Sequence, residues 1–291
     1  MGYEAYRNGD ILSLLVTKYS IMDDYTLHYT YNLNLESGKR MDQKELIERL
    51  VAIRGMTSIS VSINCEKTNV IMGTEIHTLW GKERITDTIF VRDVDNCFAR
   101  TGDGIAFSIS PLSFYQVNPV QTEVLYNTAM DYAELTGKET VIDAYCGTGT
   151  IGLIAAKNAK KVIGVELNKD AVKDARINAK ENGITNAEIY AGDAGRFMVD
   201  MASKNQKADV VFMDPPRAGS SEEFLDAVAK IGPKRVVYVS CNPTTLERDC
   251  TYLEKQGYRA KEVWPVDMFP WSGAVEAVCL LEKNKKARIH E

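Results

Sequence analysis

Four short runs of mostly β-branched residues constrain this chain most: VIDAY, KVIGVE, DVVFMD and RVVYVS. Segments with helical spacing alternate with them, among them PVQTEVLYNTAMDYAEL, KDAVKDARINAKENG and SSEEFLDAVAKI. Runs this short and this apolar suit strands covered from both sides, so the alternation predicts a parallel sheet with helices on each face. The end departs from that rhythm. EVWPVDMF and EAVCLLEK flank a short PWSGAV stretch, as the strands of an antiparallel hairpin do. The fold class expected is α/β, mostly parallel, with a C-terminal antiparallel hairpin.

The first 105 residues have another texture. ILSLLVTKYS and YTLHYTYNLN read as strands, and SISVSINC alternates with the period of a half-buried strand. DQKELIERLVAI carries apolar residues at helical spacing, with Asp42 as its N-cap. The 291 residues suffice for two domains. The division expected is a small α+β domain over 1–105, an α/β domain over 106–283 and a basic tail over 284–291. No apolar stretch of about 18 residues occurs, so no membrane span is expected. MGYEAYRNGD lacks the apolar centre of an export signal, so a cytoplasmic protein is expected, and a monomer.

Six cysteines occur: Cys65, Cys97, Cys146, Cys241, Cys250 and Cys279. None forms a CxxC pair or a zinc-ligand spacing, so reduced, mostly buried thiols are expected and no metal. Net charge is −5. Phosphate binding favours a basic face, which would have to come from local runs such as KNKKAR or Lys157, Lys160 and Lys161.

The sharpest local signal is Asp143-Ala-Tyr-Cys-Gly-Thr-Gly-Thr-Ile-Gly152, which follows a strand and opens a helix. Gly147 and Gly149 allow a tight turn and close approach to a ligand, beyond the carboxyl ends of the strands. KVIGVE ends in Glu166, where a carboxylate can accept hydrogen bonds from ribose hydroxyls. That pair alone also fits a dinucleotide fold. Asp143 at the start of the loop suits a cationic ligand instead. Asp193, in YAGDAGRF, stands where an adenine amino group can be read. The three elements together resemble the class I, Rossmann-like methyltransferases and imply S-adenosylmethionine.

Two further motifs follow strands: Asp214-Pro215-Pro216-Arg217 and Ser240-Cys241-Asn242-Pro243. If those strands are neighbours, Asp214 and Cys241 share one rim. A thiol and a carboxylate there suit attack on a pyrimidine. C5 of uracil is a poor nucleophile until a thiolate adds at C6 and makes C5 an enolate carbon. A base must later take the C5 proton, and Glu276, in GAVEAVCLL, is the candidate. The thiolate would be favoured by a nearby sulfonium and by a helix N-terminus after Cys241. An oxidoreductase using a nicotinamide cofactor does not need this set.

FSISPLSFYQVNPVQTEVLY, DAYCGTGTIGL, DPPRAG, VYVSCNPTTLERD and VDMFP followed by VE resemble the RNA uracil-C5 methyltransferases, over roughly residues 55 to 283. The resemblance implies Cys241 as nucleophile, Glu276 as base and Asp214 as a contact to the target base at the cofactor's rim. It implies that Gln116, Tyr145, Gly147, Glu166 and Asp193 hold S-adenosylmethionine beside Asp143 and Asp214. Phe114 would lie close to the active site on the substrate side, and Arg217 would contact RNA. The partner implied is RNA, and the SISVSINCEKTNVIMG stretch favours 23S rRNA over tRNA. Two features depart from the family. An N-terminal RNA-binding β-barrel found in many members is missing, so a catalytic core is expected, with the first domain as a possible RNA contact. Histidines usual between FP and VE are replaced by Trp271, Ser272, Gly273 and Ala274. Rival readings are an exocyclic-amine methyltransferase using DPPR, which needs no thiol, and an RNA-binding assembly factor with little turnover.

Overall fold

A computed structural model describes residues 11–20, 25–34, 43–63, 73, 75–93 and 99–284. Asp42, Cys65, Cys97 and most of the expected basic tail lie outside the described residues. In chain order the first elements are β1 (Ile11–Ser20), β2 (Tyr25–Asn34), α1 (Gln43–Val51), β3 (Met56–Ile63) and β4 (Glu75–Gly81). They form an antiparallel sheet in the order β2-β1-β3-β4. Ile47, Leu50 and Val51 recur at helical spacing in α1 and pack on buried Met56 and Ile59 of β3.

A two-stranded sheet follows, β5 (Ile85–Asp93) and β6 (Ala99–Ile109), which the sequence pattern did not reveal. The chain's contacts divide it into two units, 1–87 with 108–120 and 88–107 with 121–291. The chain passes between the two units three times, at 87–88 and 107–108 within these strands and again at 120–121.

The second unit continues with α2 (Pro119–Ala133), β7 (Thr140–Ala144), α3 (Thr150–Ala156), β8 (Lys161–Glu166), α4 (Lys169–Glu181), β9 (Ala187–Ala191) and α5 (Ala194–Ser203). Then come β10 (Val210–Met213), α6 (Glu222–Ile231), β11 (Arg235–Ser240), α7 (Pro243–Lys255), β12 (Tyr258–Val266) and β13 (Glu276–Lys283). Buried Glu123 of α2 accepts the Phe90 amide at 3.2 Å and pairs with Arg100 at 3.3 Å, which pins β5 and β6 to this helix.

Seven strands form the main sheet in the order β12-β13-β11-β10-β7-β8-β9. The strands from β7 to β11 pair in parallel, and β13 runs antiparallel to both β11 and β12. This is the Rossmann-like α/β sheet with a terminal antiparallel hairpin that the run pattern predicts. The chain builds outward from β7 to β9, then returns to the other side of β7 at β10. That reversal opens a crevice at the carboxyl ends of β7 and β10.

The sequence explains the central strands. All four residues of β10, VVFM, are buried, because helices cover both faces. Phe212, Tyr238, Phe224, Leu253 and Met198 are among the fully buried side chains around them. Helix starts carry their own caps: Asn168 on α4, Asp193 on α5, Ser221 on α6 and Asn242 on α7. The outermost strand β12 is irregular, with a register shift between Ala260 and Glu262 and Pro265 near its end. Among the described residues, no helix is long and apolar enough to cross a membrane.

Phe212→Ala should remove a fully buried ring from the central strand next to Asp214. The expected cost is about 3–5 kcal/mol, read as a lower urea midpoint with unchanged slope.

Candidate active site

The loop after β7 is built on positive φ angles: Tyr145 at 65°, Gly147 at 54° and Gly149 at 85°. It turns the chain from β7 into α3 within five residues. Asp143, fully buried at the strand end, uses one oxygen to accept the Gly152 amide at 2.7 Å in the first turn of α3. A β-carbon at Gly152 would lie 2.7 Å from that oxygen, so this turn must carry glycine. The other oxygen, Oδ1, is buried with no hydrogen-bond partner. Burial and the charge of Glu166 push the Asp143 carboxyl up to about 7, against the pull of the Gly152 amide.

Glu166, at the end of β8, closes the loop from the side. Its oxygens accept the Gly147 amide at 3.0 Å and the Asn168 amide at 2.7 Å. Asp193 caps α5 through the Arg196 amide at 2.9 Å and is otherwise exposed. Tyr145 packs against Phe224, with ring centroids 5.4 Å apart. Leu167, directly after Glu166, stands 69% exposed at the same strand end. It was not among the residues singled out in the sequence.

Neighbouring strands bring the second constellation together. β10 ends at Met213 and β11 at Ser240, so Asp214 and Cys241 leave adjacent strands at one edge. Ser240 pairs with Ala277 across the antiparallel β11–β13 ladder. Cys241 and Glu276 are the residues next to that last pair, and Glu276 lies within electrostatic reach of the thiol. Glu276 is buried, and desolvation raises its carboxyl while Arg217 pulls it down. Asp214 is raised well above the carboxylate range by burial, then by Glu276 and Asp143. The Cys241 thiol is raised by burial, Glu276 and Asp214, with Arg217 opposing. The sequence led us to expect a favoured thiolate. The α7 N-terminus does follow Cys241, while desolvation and the two carboxyls act in the other direction.

A buried carboxylate fixes this edge. Asp249 of α7 accepts the Ser220 amide and the Tyr238 hydroxyl, each at 2.8 Å, and pairs with Arg248 at 2.7 Å. Arg248 also donates to the carbonyls of Ala218 and Ser220. The Asn242 amide and the Thr245 hydroxyl donate to the Arg217 carbonyl. The segment from Asp214 to Ser220 is thereby fastened to the start of α7. A β-carbon at Gly219 would meet Arg248 at 2.5 Å and Asp249 at 2.7 Å, which accounts for the glycine of DPPRAG. Tyr126 adds a buried hydroxyl, 3.2 Å from that of Thr150 and within electrostatic reach of Asp214, Asp143 and Glu276. Neither Asp249 nor Tyr126 was singled out in the sequence.

Phe114 and Gln116 belong to the other unit. Phe114 is 72% exposed, whereas Gln116 is buried with its side-chain oxygen unpartnered. The candidate residues Asp143, Tyr145, Gly147, Glu166, Asp193, Asp214, Arg217, Cys241 and Glu276 all lie in the second unit.

Residues 74–284 match the model of a family described as tRNA (Uracil-5-)-methyltransferase. The chain is 42% identical over 278 residues to an "Uncharacterized RNA methyltransferase" of Clostridium tetani, covering 95% of this chain and 54% of that protein. It is 49% identical over 241 residues to one of Halalkalibacterium halodurans, covering 82% of this chain and 50% of that one. The chain spans about half the length of the curated relatives it matches. Among solved structures it is similar to Pyrococcus abyssi tRNA (uracil-54, C5)-methyltransferase in complex with S-adenosyl-L-homocysteine. The TM-score is 0.65 at 29% identity, over 92% of this chain and 59% of that one.

Alkylation of Cys241 by iodoacetamide should be slower at pH 7.5 than that of a free thiol and should keep rising at more alkaline pH. Glu276→Gln and Asp214→Asn each remove a charge that opposes the thiolate, so each should speed alkylation several-fold. Peptide mapping by mass spectrometry reads the rate at this cysteine.

Proposed function

The chain belongs to the tRNA (uracil-5-)-methyltransferase family, and from that membership we propose that it methylates C5 of a uridine in RNA through a covalent Cys241 adduct. The observation that supports this reading is the β11–β13 register, whose last pair, Ser240 and Ala277, adjoins Cys241 and Glu276 at the edge where Asp214 emerges.

The crevice residues fit S-adenosylmethionine. The unpartnered buried oxygen of Asp143 offers an acceptor to a cationic ligand. The Gly147 turn leaves open space where a side chain would stand. Glu166 suits ribose hydroxyls, Leu167 offers an apolar face to adenine, and Asp193 keeps an exposed carboxylate oxygen for its amino group. Tyr145 walls the loop, and the family resemblance makes Gln116 a further candidate contact. When bound, S-adenosylmethionine supplies an electrophilic methyl group to C5 and leaves as neutral S-adenosylhomocysteine.

The chain's own residues do the rest. Cys241 Sγ adds to C6 and moves an electron pair toward C5 and the O4 carbonyl. Asp214, its carboxyl raised by burial, can hydrogen-bond the uracil edge and orient the ring. After methylation Glu276 takes the C5 proton, and the returning electron pair expels the Cys241 thiolate from C6. A raised carboxyl accepts a proton more readily than an exposed one, so the burial of Glu276 suits a base. The target must leave its stack to meet the thiol and the methyl group on opposite sides. Arg217, exposed at the rim, suits an RNA phosphate, and Phe114 the substrate side. The SISVSINCEKTNVIMG stretch favours 23S rRNA over tRNA, acted on in the cytoplasm by a monomer.

Incubation with S-adenosylmethionine and 5-fluorouridine-substituted 23S rRNA should give a protein–RNA band on a denaturing gel, since fluorine cannot leave C5 as a proton does. The band should vanish in Cys241→Ala. In Glu276→Gln it should form even with ordinary uridine, because the adduct cannot collapse. Methyl transfer that survives Cys241→Ala would favour amine methylation, RNA binding without transfer an assembly role, and transfer to tRNA alone would overturn the rRNA choice.

Binding should also report Asp143. Its carboxyl is neutral below about pH 7 and charged above. A cationic ligand favours the charged form, so S-adenosylmethionine affinity should rise several-fold from pH 6 to pH 8. Asp143→Asn should flatten that profile in calorimetry.

A further inference from the structure

Five residues before Glu276, the chain makes an exposed turn with Trp271 at its tip. The turn is firmly based. Met268 and Glu276 on either side are buried, and the Ser272 amide and hydroxyl donate to the Phe269 carbonyl at 3.1 and 2.7 Å. The Ala274 amide donates in turn to the Ser272 hydroxyl at 3.2 Å. At the tip, Trp271 has a φ of 70° and a relative exposure of 105%. A bulky aromatic seldom adopts that backbone, where glycine fits without strain. Its ring also buries no surface against the fold. Local folding therefore gains nothing from tryptophan at this position and is worse off than with glycine.

What the ring can reach decides its use. β13 begins at Glu276, whose ladder partner on β12 is Val266. The turn thus joins the two strands at the end where Cys241 and Asp214 emerge. Val263 and Trp264 on β12 are also more than half exposed. Resting on the uracil-C5 reading above, a uridine that leaves its stack to reach Cys241 exposes the faces of its neighbours in the strand. An indole is the largest flat apolar face a side chain can offer to such a base, and aromatic stacking tolerates any base.

We propose that Trp271 is a stacking platform for an RNA nucleobase beside the target uridine, at the rim of the active site. It contacts substrate away from the reacting atoms, so it governs RNA affinity and the strand conformation accepted, not the chemical step.

The test replaces Trp80 and Trp264 by Phe in the full chain, leaving Trp271 as the sole tryptophan, and adds a short single-stranded RNA oligonucleotide containing uridine. Stacking is expected to quench Trp271 emission, with much less quenching by the same sequence in a duplex. In the wild-type background, Trp271→Ala and Trp271→Gly are expected to raise KM for RNA roughly 10- to 100-fold. The kcat and the affinity for S-adenosylmethionine should stay unchanged, and Trp271→Phe should recover most of the loss. Trp271→Gly relieves the backbone, so its melting temperature should equal or exceed that of wild type, which separates lost stacking from lost structure. Unquenched emission while methyl transfer proceeds, or an unchanged KM in Trp271→Gly, would overturn the platform. Quenching without methyl transfer would support the platform and overturn the uracil-C5 reading.

Discussion

Water is largely excluded from three carboxyl groups at one end of a parallel sheet, and their behaviour governs the groups around them. Asp143, Asp214 and Glu276 are all raised by desolvation, and Glu276 and Asp143 add to the rise at Asp214. Fewer of them are charged than would be in water, and those that are charged repel the thiolate form of Cys241. Such an edge is poised to take up positive charge. A positive charge entering it would draw protons off the acids and ease ionisation of the Cys241 thiol together.

Geometry at that edge depends on a fourth acid of another kind. Asp249 is as buried as Asp143, yet it has donors on both oxygens. The three partners come from α7, from β11 and from the end of the Asp214–Ser220 segment. One carboxylate therefore ties α7, which starts just after Cys241, to the segment bearing Asp214 and Arg217. Asp249 has both oxygens engaged in holding the frame, whereas Asp143 keeps one buried oxygen without a hydrogen-bond partner.

Much of this was legible in the sequence, for physical reasons. The central strands are buried on both faces, so VIDAY, KVIGVE, DVVFMD and RVVYVS are continuous apolar runs. The site residues sit directly after those runs, because α/β sheets present ligands to strand ends. Strand β9 was harder to read: AEIYA lies at the sheet's end and buries only Ile189 fully. The β5–β6 pair was missed because its anchor, Glu123, lies in a helix whose acids read as solvated. The role of Asp249 was hidden for a similar reason. Beside Arg248 it reads as an exposed pair, while two of its partners stand 11 and 29 residues away in the chain. The sign of the shift at Cys241 depends on charges from separate strands, which only the register brings together.

The irregular outer strand β12 carries a consequence for the molecule's solution behaviour. A strand at the end of a sheet offers free amides and carbonyls to any extended chain, including another copy of itself. Here the register break between Ala260 and Glu262 twists the ladder out of step. Pro265 lacks an amide to donate, and Arg259 and Lys261 set charge along the strand. Each feature discourages strand-to-strand association. The same strand can therefore display Val263 and Trp264 to solvent without inviting the self-templated stacking that ends in insoluble fibres.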